Sequence, residues 1–195
     1  MTTRRDLFRA AAGVLLLPRH LLAAERPQLE VALKAERWIR TARIDTEHGA
    51  NWPADPANPK SVGRDLYNGY PGVIAFLLEL YHATGDRHFL DEASRGATEL
   101  AAGIAEAEDA GLYTGLAGIG FVLAEMHRAS GAARHRTAAR LALDTVKQRA
   151  RPVGRGVQWS ESADIISGSA GTGLYLLWAA KHFDDPAAVA LAARA

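Results

Sequence analysis

The chain has 195 residues, 48% apolar and 23% charged, which is the composition of an ordinary globular domain able to bury a core. A formal charge of +1, from 23 basic and 22 acidic side chains, leaves no surplus field for a polyanion and so excludes nucleic acid as a partner held by electrostatics. With no cysteine, the chain cannot form disulfides, a thiolate nucleophile or any cysteine-containing metal site from its own residues.

The first two dozen residues read differently from the rest. Thr3-Arg4-Arg5-Asp6-Leu7-Phe8-Arg9 is followed by an uncharged apolar run from Ala10 to Leu17, which resembles a twin-arginine export signal and predicts a periplasmic or exported protein. The run is far shorter than the roughly 20 residues that span a bilayer, so no stable membrane span is expected. Pro18-Arg19-His20 interrupts the pattern, and Leu22-Ala23-Ala24 lacks a clean A-x-A cleavage site. The competing reading is a basic amphipathic first helix that packs on the domain. The boundaries expected are a signal segment over 1–24 and one domain over 25–195.

An amphipathic segment follows, with Val31, Ala35, Trp38 and Ala42 on one side, and it predicts an outer helix buried along that stripe. Ala50 to Gly63, with three prolines and no helical period, reads as a loop. A repeat then begins. Leu66-Tyr67-Asn68-Gly69-Tyr70-Pro71-Gly72-Val73 aligns with Leu112-Tyr113-Thr114-Gly115-Leu116-Ala117-Gly118-Ile119 and with Ile165-Ile166-Ser167-Gly168-Ser169-Ala170-Gly171-Thr172, at spacings of 46 and 53 residues between the first glycines. The first two copies also match at Glu79 and Glu125, Ala83 and Ala129, and Gly85 and Gly131.

Each Gly-x-x-Gly opens a run that is apolar on nearly every side: Val73 to Tyr81, Ile119 to Met126 and Leu174 to Ala180. Such runs predict buried inner helices. The segments between them carry apolar residues every three or four positions, Phe89, Ala93, Ala97, Leu100 and Ile104 in one, Ala138, Leu141, Ala142 and Thr145 in the other, and predict outer helices with one wet face. Arg151 to Gly156, with Pro152 and two glycines, reads as a loop. Asp185-Pro186 is an N-cap followed by proline at the first helical position, so a further outer helix is expected there, and the sequence is expected to stop inside a repeat. Periodicity alone leaves an open solenoid and a closed ring as alternatives.

Three turns of this form, Asp65-Leu-Tyr-Asn-Gly-Tyr-Pro-Gly72, Gly111-Leu-Tyr-Thr-Gly-Leu-Ala-Gly118 and Asp164-Ile-Ile-Ser-Gly-Ser-Ala-Gly171, resemble the opening turns of the lanthionine synthetase C-like family. The resemblance runs from about residue 27 to 195. It implies an all-α fold, an α/α toroid of the six- or seven-hairpin type, here present as about three helical hairpins. It implies further that inner helices line a cavity and that the glycine turns crowd one of its mouths. Cyclase members of the family bind zinc through two cysteines and a histidine in later repeats and add a substrate thiol to a dehydroamino acid. Those ligands are not in this chain, so the expectation is an inactive N-terminal portion of such a protein, with no cofactor of its own, zinc belonging only to full-length members. The partners expected are a peptide substrate and, through open repeat ends, further copies of the chain.

One functional position of the family falls on Asp164, which in cyclases lies near a catalytic histidine; a carboxylate there could orient and charge-stabilise an imidazole. The plainer role for Asp164 is capping of backbone N–H groups. Asp65 begins an equivalent turn and is, with Trp159, a candidate for substrate binding; Gly111 replaces the acid in the second copy. The glycine pairs are expected to serve close packing and positive φ rather than ligand binding. Glu79 and Glu125 lie at matching places on apolar helices. They could act as acid and base of a carbohydrate-processing toroid, the first alternative, although pairing with an arginine is the simpler expectation and Trp178 replaces them in the third copy. The second alternative is a noncatalytic helical module that holds a peptide. Trp52 and Trp159 could stack on a sugar or peptide or close the ends of a core. The seven histidines show no metal spacing, and Gly168-Ser-Ala-Gly171 is not a nucleophile elbow.

Overall fold

The computed structural model describes residues 26–195; the arginine pair and apolar run expected to form an export signal lie outside them. The chain divides at Lys34 and Ala35 into two compact units, the first represented only by residues 26–34 and the second holding residues 35–195. Helices dominate: α1 (Pro27–Thr41), α2 (Tyr70–Thr84), α3 (Arg87–Ala102), α4 (Leu116–Ser130), α5 (Ala133–Gln148), α6 (Ser169–Phe183) and α7 (Pro186–Ala192). Two small antiparallel hairpins join them, β1 (Ile44–Asp45) with β2 (Ala50–Asn51) and β3 (Arg151–Val153) with β4 (Gly156–Gln158). The second hairpin occupies the stretch expected to be a loop. It turns at Gly154, whose φ of 56° glycine adopts without a Cβ penalty.

The fold is all-α, and the described residues include three helical hairpins, α2–α3, α4–α5 and α6–α7, each inner helix packing most closely on the outer helix that follows it. Each link is two residues long. Gly85 and Gly131 close α2 and α4 at φ 74° and 71°, with their N–H groups returned to the carbonyls of Tyr81 and His127. Asp184 takes the same left-handed place in the third hairpin, at φ 54°. The residue expected to cap the final helix does so: the Asp185 side chain accepts from the Ala188 N–H, and Pro186 occupies the first turn.

The inner helices differ in how much of their apolar surface is covered. α4 lies between α2 and α6 and buries Leu116, Ala117, Ile119, Val122, Leu123, Ala124 and Met126. Among the described residues α6 has an inner-helix neighbour on the α4 side, and Leu174 and Leu177 stay 50% exposed. The stripe predicted for α3 is buried throughout, from Phe89 to Leu100, as is Ile104 beyond it. That predicted for α5 is shifted, because Leu141 faces outward and Ala139, Leu143 and Val146 join Ala138 and Ala142 in the core.

The stripe predicted for α1 is a correction. Trp38 is 62% exposed and Ala35 is exposed, while the buried residue is Glu36. Its carboxylate lies 3.6 Å from Arg40 and 3.9 Å from His88, and such partners are what a buried charge requires. Trp52 is buried and closes the core beside Ile74 and Gly96. No helix among the described residues is long and apolar enough to cross a membrane.

Candidate functional site

The three glycine turns come together in space. Gly69, Gly115 and Gly168 are the N-caps of α2, α4 and α6, and none of them has positive φ. That part of the sequence expectation is corrected. Glycine is required because a Cβ would collide with the backbone of the same turn, at Gly63 and Asp65, at Asp109, and at Ser162 and Asp164 respectively. The residue two positions before each N-cap forms a backbone ladder across the turns, the Tyr67 N–H donating to the Tyr113 carbonyl at 3.0 Å and the Tyr113 N–H to the Ile166 carbonyl at 2.9 Å.

The acids that open the turns organise their backbone. Asp65 Oδ1 accepts from the N–H groups of Tyr67 at 3.0 Å and Asn68 at 2.7 Å. Asp164 Oδ1 accepts from the equivalent Ile166 and Ser167, the latter at 2.8 Å, and its Oδ2 from the hydroxyls of Ser162 and Ser167. These bonds, the Ser162 hydroxyl foremost, hold the Asp164 carboxyl well below the usual carboxylate range. In the second turn, where Gly111 replaces the acid, Asp109 supplies it from two residues upstream, accepting from the Gly111 N–H at 2.9 Å and from the Thr114 hydroxyl.

The three residues singled out from sequence are not brought together. Asp164 is exposed on the third turn, and its carboxylate is taken up by that turn. Asp65 lines a cavity of about 120 Å³ with Arg64, Asp109 and Thr114. Trp159 lies half-buried beyond the end of α5, its indole N–H donating to the Val146 carbonyl at 2.7 Å.

A larger site, missed by sequence reasoning, opens where the turns meet the inner helices. Leu66, Leu112 and Tyr113 from the turns, Phe121 from α4, and Leu174, Tyr175 and Trp178 from α6 line an apolar groove of about 320 Å³. Trp178 meets the Phe121 ring edge-on at 4.9 Å and is covered by the His182 imidazole at 5.0 Å, stacked within 12°. Burial lowers the pKa of His182, which favours the neutral ring. The signal was present in the repeat: Leu66 and Leu112 each lie three residues before an N-cap glycine, and Phe121 and Leu174 six after.

Glu79 and Glu125 do line one cavity, with His82, but it holds only about 70 Å³, well under the roughly 300 Å³ of a small-ligand site. Glu125 is paired with Arg128 at 2.8 Å, as the simpler sequence reading expected. Among the described residues no three His, Asp or Glu side chains form a group able to hold a metal ion. The two-cysteine, one-histidine set of the zinc-binding cyclases does not fit a chain without cysteine.

Three glycine-turn hairpins whose inner helices border an apolar groove define an α/α hairpin-repeat protein. A family model for lanthionine synthetase C-like protein matches residues 60–194, and the chain belongs to that family. The α/α toroid is the fold of its members. No curated protein matches the sequence.

Proposed function

We propose that this chain is the peptide-holding part of a lanthionine synthetase C-like protein, and that its own residues do not perform the thiol addition of the cyclase members. The observation that carries the reading is the apolar groove at the glycine-turn mouth. Its volume of about 320 Å³ accommodates one or two side chains, and Leu174 and Trp178 offer apolar and aromatic surface for them. Composition supports the second half: with no cysteine, the zinc set that lowers a substrate thiol's pKa in cyclases is not supplied from within. In this reading Asp164 and Asp65 are caps that shape the mouth, and Trp159 braces the loop ahead of α6.

Calorimetric titration of the purified chain with a short Leu-rich peptide carrying one dehydroalanine and one cysteine tests this. Binding is expected, weakened roughly tenfold or more by Leu174→Asp. Cyclisation of that peptide by the chain alone, or one tightly held zinc per chain, would overturn the reading. Loss of periplasmic delivery of a fused reporter on changing Arg4 and Arg5 to Lys is the corresponding expectation for an export signal over residues 1–24, and unchanged delivery removes it.

A further inference from the structure

The inner helices carry matching positions in all three repeats. Six residues after each N-cap glycine stand Ala75, Phe121 and Leu174, and ten after it stand Glu79, Glu125 and Trp178. Residues four apart share a helix face, so each repeat presents a pair: Ala75 with Glu79, Phe121 with Glu125, Leu174 with Trp178. The pairs pass from small and acidic in the first repeat to wholly apolar in the third, and the two cavities follow that change. On the α6 side lies the apolar groove of about 320 Å³, bordered by Leu174 and Trp178. On the α2 side lies the cavity of about 70 Å³, bordered by Ala75, Glu79 and Glu125. Phe121 is the wall they share, its ring turned towards Trp178 at 4.9 Å between centroids.

We infer that Phe121 sets the specificity of the groove: its ring partitions the apolar groove from Glu79 and Glu125, so that the groove takes uncharged apolar side chains and turns away lysine and arginine. The inference rests on the reading of the groove as the place where a peptide side chain is held. A cation entering the groove leaves water for a surface that offers it no anionic partner, which is unfavourable, whereas a leucine side chain has no such need. With the ring removed, the stem of a lysine can lie along Leu174 and Trp178 while its ammonium reaches the acidic layer. Glu125 is already paired with Arg128, so Glu79 is the carboxylate that takes up the incoming charge. Ala75 shows that a small residue is compatible with this place on an inner helix, and Phe121 is only half-buried, so Phe121→Ala is expected to fold.

N-acetyl-leucinamide and N-acetyl-lysinamide are the probes, titrated at neutral pH while the indole N–H resonance of Trp178 is followed. The parent is expected to bind the leucine probe roughly tenfold or more tighter than the lysine probe, and Phe121→Ala to bring the two within about threefold. Adding Glu79→Gln to Phe121→Ala should restore the preference by removing the charge, and adding Ala75→Phe should restore it by closing the small cavity from the α2 side. A merely structural role for Phe121 would weaken both probes alike and leave their ratio where it was, which overturns the inference. So does a ratio that falls with Phe121→Ala and is regained by neither added change, since the ring would then act through its own contact with the leucine side chain. Should Phe121→Ala lose the helical circular dichroism of the parent, Phe121→Leu, which places the third repeat's residue there, takes over with the same direction of change expected. The peptide reading fails separately, if the Leu-rich peptide binds no tighter than the single leucine probe while the ratio still shifts. A parent that binds neither probe overturns both.

Discussion

Lys147 Nζ lies 2.9 Å from the Asp185 carboxylate, tying the last turn of α5 to the N-terminus of α7. Arg140 reaches the same oxygen at 2.9 Å, while the other oxygen accepts from the Ala188 N–H at 3.1 Å. One nearly buried carboxylate thus serves as helix cap and as the anchor of two cations.

Asp185→Ala removes both roles and is expected to cost about 2–3 kcal/mol, with Asn recovering the capping part. The Lys147 hydrogen bond, aided by the Ala188 N–H, lowers the Asp185 pKa. Because the folded value lies below the unfolded one of about 3.9, the stabilisation is complete above that pH and lost as pH falls through the folded value. Urea denaturation of both variants, with hydrogen exchange across Pro186–Ala192, checks this. Equal stability of parent and Ala variant at neutral pH would refute it.

His135, near the start of α5, is 1% exposed, with Nε2 3.3 Å from the Ser94 hydroxyl of α3. Burial, with Arg134 and His127 adding repulsion, pushes its pKa down to about 4. The unfolded chain binds the proton near its ordinary value of about 6.5, so stability is full above that pH and declines as pH falls towards 4, by up to about 3 kcal/mol. His135→Gln should flatten the decline between those values while leaving the more acidic loss due to Asp185. A denaturation midpoint independent of pH across the interval in the parent would show that the ring is not neutral in the fold.

The repeat was legible because its signals are local. Gly85 and Gly131 stop helices wherever they stand, and Asp185-Pro186 starts one. What sequence could not reveal is which apolar residues acquire neighbours. Leu174 and Leu177 match the covered α4 in period and composition, yet remain half exposed because among the described residues α6 has an inner-helix neighbour on the α4 side alone. Trp38 and Leu141 fail for the same reason: a period locates an apolar stripe, whereas burial depends on a partner that the period does not encode. The glycine turns are legible but their cause is not, since close approach at Gly69, Gly115 and Gly168 leaves no mark in sequence distinct from that of positive φ. The groove formed by Phe121 and Trp178 escaped notice because those residues are 57 positions apart and meet only once the hairpins stack.

If Asp164 acts as the cap of its turn, Asp164→Asn should leave peptide affinity within about twofold, since the amide oxygen still accepts from Ile166 and Ser167. Asp164→Ala should speed amide exchange at those two residues. Calorimetry and exchange separate the roles, and a large loss of binding in the Asn variant with exchange unchanged would assign the carboxylate to the ligand instead.

Gly120 of α4 lies directly against the Tyr175 hydroxyl of α6. A Cβ on Gly120 would collide with the Tyr175 hydroxyl and lie 3.2 Å from Ala142 Cβ, so Gly120→Ala should destabilise by about 1–3 kcal/mol even though alanine is the better helix former. The Tyr175 hydroxyl is buried without a hydrogen-bond partner among the described residues, and burial raises its pKa, so it stays protonated at neutral pH. Removing an unsatisfied buried hydroxyl forfeits no hydrogen bond, so Tyr175→Phe should be neutral or slightly stabilising. The two changes should then couple: with the hydroxyl gone, the methyl of alanine gains room, and the double variant Gly120→Ala, Tyr175→Phe should recover at least about 1 kcal/mol of the loss. A double-mutant cycle by urea denaturation measures this directly. Additive losses would mean that the ring carbon Cζ of residue 175, 2.9 Å from the added Cβ, or Ala142 still limits the space, and a strongly destabilised Tyr175→Phe would mean that the hydroxyl holds a bonded partner.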